Sequence, residues 1–277
     1  MRITAISALL FLLATAAFAQ KDPLSRSWNQ PVEPFRIAGN LYYVGASDIT
    51  SFLIATPQGH IVIDGGFEET APMIRANIEK LGFKASDVRI LLSSHAHLDH
   101  AGGLAELKRV TGAKFYASGG DVPVHARGGL DDPQFGDTLP YPPVMADRVF
   151  GDGAKVTLGG TTLTAHITAG HTRGCTTWTM QLRDGKRTHD AVFVCSASVP
   201  SNYKLVGNPR YPDVVDDYRR TFCTLRSLPA DIFLASHGAV FDLTEKRKTG
   251  NFVDPAGYRA FVDRAEQAFE AALAKQR

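Results

Sequence analysis

The chain has 277 residues, 30 Lys+Arg against 28 Asp+Glu, a formal charge of +2 and 44% hydrophobic residues. This near-balance, without a Lys/Arg run, argues against nucleic acid or an anionic membrane as a partner. Cys175, Cys195 and Cys223 are odd in number, so at least one has no partner within the chain.

The N-terminal stretch reads as an export signal. Arg2 supplies the positive start, residues 6–13 an apolar stretch, and Ala17-Phe18-Ala19 a small-x-small cleavage pattern. The apolar stretch is well short of the ~20 residues a bilayer span needs. The expectation is a cleaved signal at 1–19, then a single domain at 20–277, periplasmic and without a membrane anchor. Export would place the cysteines where a disulfide persists.

Stretches rich in Leu, Tyr, Val and Ile predict strands at 40–44, 51–56 and 60–64, with Pro57-Gln58-Gly59 turning between the last two. A helix is expected over 70–81, with Thr70 as its N-cap, Ile74, Ile78 and Leu81 on one face and Gly82 as the stop. The apolar run 88–92, bounded by Ser93-Ser94, suits a buried strand. A helix at 101–110 and a strand at 113–117 follow. Gly, Pro and Asp crowd residues 127–146, which predicts a long surface loop.

Further strands are expected at 155–158, 161–168, 176–182 and 191–195. Cys175 and Cys195 flank the turn-like Asp184-Gly185-Lys186, and a hairpin there would bring them together, although spacing alone does not fix the pairing. Val214, Val215, Tyr218, Phe222 and Leu225 recur at helical spacing within 213–228, before a short strand at 231–235 and an amphipathic helix at 255–275. Strands and helices alternate in two groups, which predicts two sheets packed face to face with helices outside, an α/β sandwich.

The chemistry concentrates where the strand at 88–92 ends. His95-Ala96-His97-Leu98-Asp99-His100 puts four ligand-type side chains into six residues on a strand-to-helix turn, where they can converge on cations. Imidazole with carboxylate and no thiolate suits zinc, and a site completed by water is catalytic. The remaining ligands belong at the ends of other strands. His171, in Ala169-Gly170-His171-Thr172, and His237, in Ser236-His237-Gly238, stand there. His60, His125, His166 and His189 lack that setting. Asp64 ends an apolar strand, where it either accepts the N–H of a ligating imidazole or caps the turn before Gly65-Gly66.

With these residues in place, the chain resembles the metallo-β-lactamase superfamily from about Asn40 to the C-terminal helix, and most closely its third class B subclass. The superfamily likeness rests on Val62-Ile63-Asp64-Gly65-Gly66, on Ser94 through Gly102, and on Gly170-His171-Thr172 with Gly174. The subclass likeness rests on Gly128-Gly129, Phe135-Gly136-Asp137 and Tyr211-Pro212 through Asp217-Tyr218-Arg219-Arg220.

The resemblance implies a four-layer αββα sandwich of two mixed sheets with outer helices. It implies two Zn²⁺, one held by His95, His97 and His171, the other by Asp99, His100 and His237. It puts Ser196 where other subclasses carry a cysteine ligand, although a one-residue shift of strand register would turn Cys195 there instead. A water acidified by the two cations would attack the lactam carbonyl, with Asp99 orienting it. Tyr203 would donate to the carbonyl oxygen, and Ser196 and Ser198 would receive the substrate carboxylate.

The expected partner is a small-molecule β-lactam (penicillin, cephalosporin or carbapenem) acted on by a monomeric enzyme. Glyoxalase II-like thioester hydrolases and lactonases place a bridging Asp near residues 193–196. Val194-Cys195-Ser196-Ala197 has no acidic residue there, which favours the lactam. A non-catalytic zinc carrier is the other alternative.

Overall fold

The computed structural model describes residues 27–277, so the expected signal at 1–19 lies outside the described residues. β1 (Phe35–Ala38), β2 (Leu41–Tyr43), β3 (Phe52–Thr56), β4 (Gly59–Ile63), β5 (Val88–Leu92), β6 (Lys114–Ser118) and β7 (Arg148–Phe150) lie side by side in chain order. Pairing is antiparallel from β1 to β4 and parallel from β4 to β7. β8 (Lys155–Leu158), β9 (Thr161–Ile167), β10 (Thr176–Asp184), β11 (Arg187–Val194) and β12 (Ile232–Ala235) form the second sheet, also in chain order. Its β11–β12 pair is parallel and the others antiparallel. Both sheets are therefore mixed, as expected.

Side chains that alternate along a strand divide between its two faces. Phe52, Ile54, Ile61, Ile63, Ile90 and Leu92 join the core shared with the second sheet, whereas Leu53, Val62 and Leu91 join a second core on the opposite face. The helices are α1 (Ala71–Lys80), α2 (Leu98–Ala101), α3 (Leu104–Thr111), α4 (Val122–Ala126), α5 (Val214–Ser227), α6 (Leu243–Thr249) and α7 (Pro255–Ala274). Ile74 and Ile78 of α1 and Leu104 and Leu107 of α3 complete the second core. Tyr218, Phe222 and Leu225 of α5 pack with Val262, Phe269 and Leu273 of α7 on the other side. Two helical layers thus enclose two sheets.

Four local expectations change. The helix expected at 101–110 starts at Leu98 and breaks at Gly102-Gly103. A Cβ on Gly103 would stand 2.2 Å from the Gly65 carbonyl oxygen, so the β4 exit turn reaches the histidine turn only through glycine. Thr70 precedes α1, but its hydroxyl donates to Asn29 Oδ1 at 2.7 Å and caps nothing. The 127–146 stretch is not wholly a surface loop, because Tyr141, Val144 and Asp132 are buried. Strands β1 and β7, short and partly exposed, were absent from the expectation.

Trp178 on β10 is fully buried between the sheets, and its Nε1 donates to the Ser93 carbonyl at 3.3 Å, just before the histidine cluster. Removing so large a core side chain typically costs about 3–5 kcal/mol. Trp178→Ala is expected to lower unfolding free energy by roughly that amount in a denaturant titration. A loss below about 1 kcal/mol would contradict this packing.

Candidate metal centre

The cleft lies at the ends of strands from both sheets, where parallel neighbours leave their C-terminal edges open. His95 and His97 follow β5, His171 follows β9 and His237 follows β12. Ring centroids of His95, His97 and His171 are 4.7–4.9 Å apart, a nearly equilateral triangle. One ligating atom from each lies within 4.8 Å of the others.

An imidazole serves a metal through one nitrogen when the other is bonded elsewhere. His171 Nδ1 donates to the Ser198 carbonyl at 3.0 Å. His95 Nδ1 meets Ser94 Oγ at 3.0 Å, and that hydroxyl donates to Asp64 Oδ2 at 2.6 Å. His97 Nε2 faces Asp132 Oδ2 at 3.8 Å and has no hydrogen-bond partner among the described residues.

Beside this triangle a second one forms. Asp99 Oδ2 is 3.2 Å from His100 Nε2 and 3.4 Å from His237 Nε2, and the two Nε2 atoms are 3.3 Å apart. A tetrahedral ion with N and O ligands at ~2.0–2.2 Å has ligand–ligand edges of roughly 3.3–3.6 Å. The three atoms therefore already stand at the spacing of one face of such a site. His237 Nδ1 donates to Asp48 Oδ2 at 2.8 Å, leaving Nε2 for the cleft. Asp48 is itself held by the Ala239 amide at 2.7 Å.

Asp64 occupies a left-handed backbone turn with φ of 64°. The sequence leaves two roles open for it, accepting an imidazole N–H or capping the turn before Gly65-Gly66. It accepts the Ser94 amide and hydroxyl and stays 3.7 Å from His100 Nδ1, which has no hydrogen-bond partner among the described residues. Its influence reaches His95 through Ser94. Burial pushes its carboxyl up to about 6, against the opposing pull of His100 and Ser94.

The cleft has a volume of about 340 Å³ and takes its walls from Trp28, Phe67, Phe135, Leu139 and Pro200. Ser198 lines it, and Ser196 Oγ bonds Ser198 Oγ at 3.1 Å on the rim. Cys195 is not a ligand, because it forms a disulfide with Cys175 across the β10–β11 hairpin, with Cα atoms 5.8 Å apart. Cys223 is free and exposed.

Tyr203 departs from expectation. Its ring is buried in the main core and does not line the cleft, and its hydroxyl is enclosed without a partner among the described residues. A loop tyrosine offers a large apolar ring, and here its burial outweighs the hydroxyl's need for a bond. Asp48, Asp132 and Trp28 are the residues that sequence reasoning missed. Only the fold reveals them, since Asp48 and His237 are 189 positions apart.

The two triangles differ electrostatically. Burial, then the neighbouring His100, His97 and His171, pushes His95 well below the ordinary histidine range. Burial takes His97 down to about 4, despite Asp99, and His171 to about 3, reinforced by His97. Burial also pulls on His237, but its bonds to Asp48 and Asp99 win and push it up to about 9. Burial works to raise Asp99, yet His100 and His237 hold it well below the carboxylate range.

The sequence profile of the metallo-beta-lactamase superfamily matches residues 44–237. The native FEZ-1 metallo-beta-lactamase from Legionella gormanii is 46% identical over 90% of this chain and 98% of that chain, with a TM-score of 0.88. A Cronobacter sakazakii metallo-beta-lactamase with a HARLDQ motif is 44% identical over 92% of this chain and 99% of that one, with a TM-score of 0.86. That motif has Arg and Gln where this chain has His97 and His100. The class B3 di-zinc metallo-beta-lactamase LRA-12 from an Alaskan soil metagenome is 37% identical over 88% of this chain and 95% of that chain, with a TM-score of 0.85.

Two outcomes follow from the geometry. At pH 7.5 the metal-free His237 carries a proton that a metal must expel, whereas the three-histidine triangle is already neutral. Calorimetric titration in buffers of different ionisation enthalpy is expected to show about one more proton released on filling the Asp99–His100–His237 set than on filling the other. Equal release at both would contradict the assignment. Tyr203→Phe is expected to keep activity within about threefold of wild type without lowering Tm, because it removes an unpartnered hydroxyl outside the cleft. A loss of about 100-fold in kcat would place the phenol in the reaction.

Proposed function

The chain belongs to the metallo-β-lactamase superfamily and is a metal-dependent β-lactam hydrolase of it, and we propose that it works with two zinc ions in the periplasm on penicillins, cephalosporins and carbapenems. The observation that carries the two-zinc reading is the pair of adjacent donor triangles, one entirely imidazole and the other containing Asp99. The relative from the soil metagenome, named as a di-zinc enzyme, supports the same count. The disulfide supports export, since such bonds persist in oxidising compartments.

In this proposal His95, His97 and His171 hold one ion, and Asp99, His100 and His237 the other. Bound zinc supplies a Lewis acid for the lactam carbonyl and lowers the pKa of water towards neutrality. The protein's own groups then position and select. Asp99, ionised throughout the neutral range, accepts a hydrogen bond from the attacking water and aims it at the carbonyl carbon. Ser196 and Ser198, with hydroxyls 3.1 Å apart, receive the substrate carboxylate at the rim. Trp28, Phe67, Phe135, Leu139 and Pro200 strip water from the lactam and strengthen each polar contact inside.

The absence of an acidic side chain from residues 194–197 weighs against thioester or lactone hydrolysis as the main activity.

The purified enzyme is expected to open nitrocefin, to lose that activity on chelation and to regain it with zinc. His95→Ala and Asp99→Ala are each expected to lower kcat/KM by more than about 100-fold. Full activity in His95→Ala would sink the assignment. Zinc binding without turnover would make the protein a carrier, and thioester or lactone turnover alone would make it the other class of hydrolase.

A further inference from the structure

Behind the three-histidine triangle lies a carboxylate that the reaction above does not use. Asp121 follows β6 after Gly119-Gly120 and is 2% exposed. It stands at the N-cap position of α4, where Asp is common because its side chain bonds the helix amides. Here the side chain makes no such bond. Its Oδ2 accepts the Ala96 amide at 3.1 Å and the Thr172 hydroxyl at 2.8 Å, and its Oδ1 accepts the Gly174 amide at 2.8 Å. Ala96 is the residue between His95 and His97, and Thr172 follows His171.

We propose that Asp121 is a positioning residue of the three-histidine site, its buried carboxylate fixing the His95–His97 turn and the His171–Gly174 turn relative to each other. The two turns come from different sheets, and the carboxylate is a direct bridge between them at the ligands. The chain is shaped to permit it. A Cβ on Gly174 would stand 2.0 Å from Ser118 Oγ and 2.4 Å from the Asp121 amide nitrogen, so only glycine lets the turns close to this distance. Ser118 Oγ also donates to the Gly174 carbonyl at 2.7 Å, securing the same contact. Tyr141 adds a second hold on the first turn, its hydroxyl donating to the Ala96 carbonyl at 3.0 Å.

An acceptor that holds ligand-bearing backbone acts on a metal as ligand-orienting partners do, and losing such a partner typically costs about 10- to 100-fold in affinity. Asp121→Asn keeps the shape but turns one of the two oxygens into a donor that faces other donors.

The inference rests on the reading that His95, His97 and His171 hold a metal, and the experiment separates the two. Zinc affinity of wild type and Asp121→Asn is measured by competition with a chromophoric chelator, alongside the visible absorption of the cobalt-substituted proteins. The expected result is an affinity lower by about 10- to 100-fold at one site and a shifted cobalt spectrum. Asp147→Asn serves as a stability control, because Asp147 accepts the Phe115 amide outside the cleft. It is expected to lower Tm while leaving affinity and spectrum unchanged.

Unchanged affinity and spectrum in Asp121→Asn would overturn the proposal. Equal loss in Asp147→Asn would do the same, by reducing the effect to general stability. Failure of wild type to compete for zinc would overturn the metal reading itself. Should Asp121→Asn not fold, Thr172→Val removes a single bond and decides the matter. A several-fold loss with a shifted spectrum supports the role, and wild-type behaviour overturns it.

Discussion

An imidazole offers its lone pair in a fixed direction when its other ring nitrogen is engaged, and three of the five imidazoles of the cleft are held in that way. Asp48 engages His237, the Ser198 carbonyl engages His171, and Ser94 relays Asp64 to His95. The acceptors come from distant parts of the chain, so the donor triangles exist only once both sheets have packed. Buried carboxylates are costly unless bonded, and Asp64 and Asp121 each accept at least two hydrogen bonds from the turns that carry or adjoin the ligands. The same bonds satisfy the carboxylates and aim the histidines.

The sandwich makes this convergence possible. Parallel pairing of β4, β5 and β6, and of β11 and β12, brings several C-terminal strand ends to one edge of the molecule. Antiparallel hairpins alone would scatter them. The disulfide then ties the start of β10 to the segment carrying Ser196 and Ser198. Trp178 ties the second sheet to Ser93. Aromatic walls and a hydroxyl rim complete a cleft whose floor is polar and whose sides are not.

Much of this was legible in the sequence, for identifiable reasons. The candidate donors His95, His97, Asp99 and His100 fall within six residues, and His171 and His237 each follow an apolar strand, so local pattern sufficed to single them out. The central strands carry period-two alternation or unbroken apolar runs. β1 and β7 are short edge-like segments with little apolar signal, and they escaped notice. The helix at 98–111 was misjudged because Gly102-Gly103 breaks it for a tertiary reason, the approach of Gly65. Asp48 and Asp121 look like ordinary turn residues, and what distinguishes them is bonded partners far away in sequence. Tyr203 was placed at the substrate by resemblance, whereas ring burial governs where it sits.

If two neighbouring donor triangles each receive one ion, diffraction from zinc-loaded crystals at the zinc absorption edge will locate both. The predicted result is two anomalous peaks, one at ~2.0–2.2 Å from nitrogens of His95, His97 and His171, the other at the same range from Asp99, His100 and His237. A single peak, or a second peak bound by other residues, would contradict it.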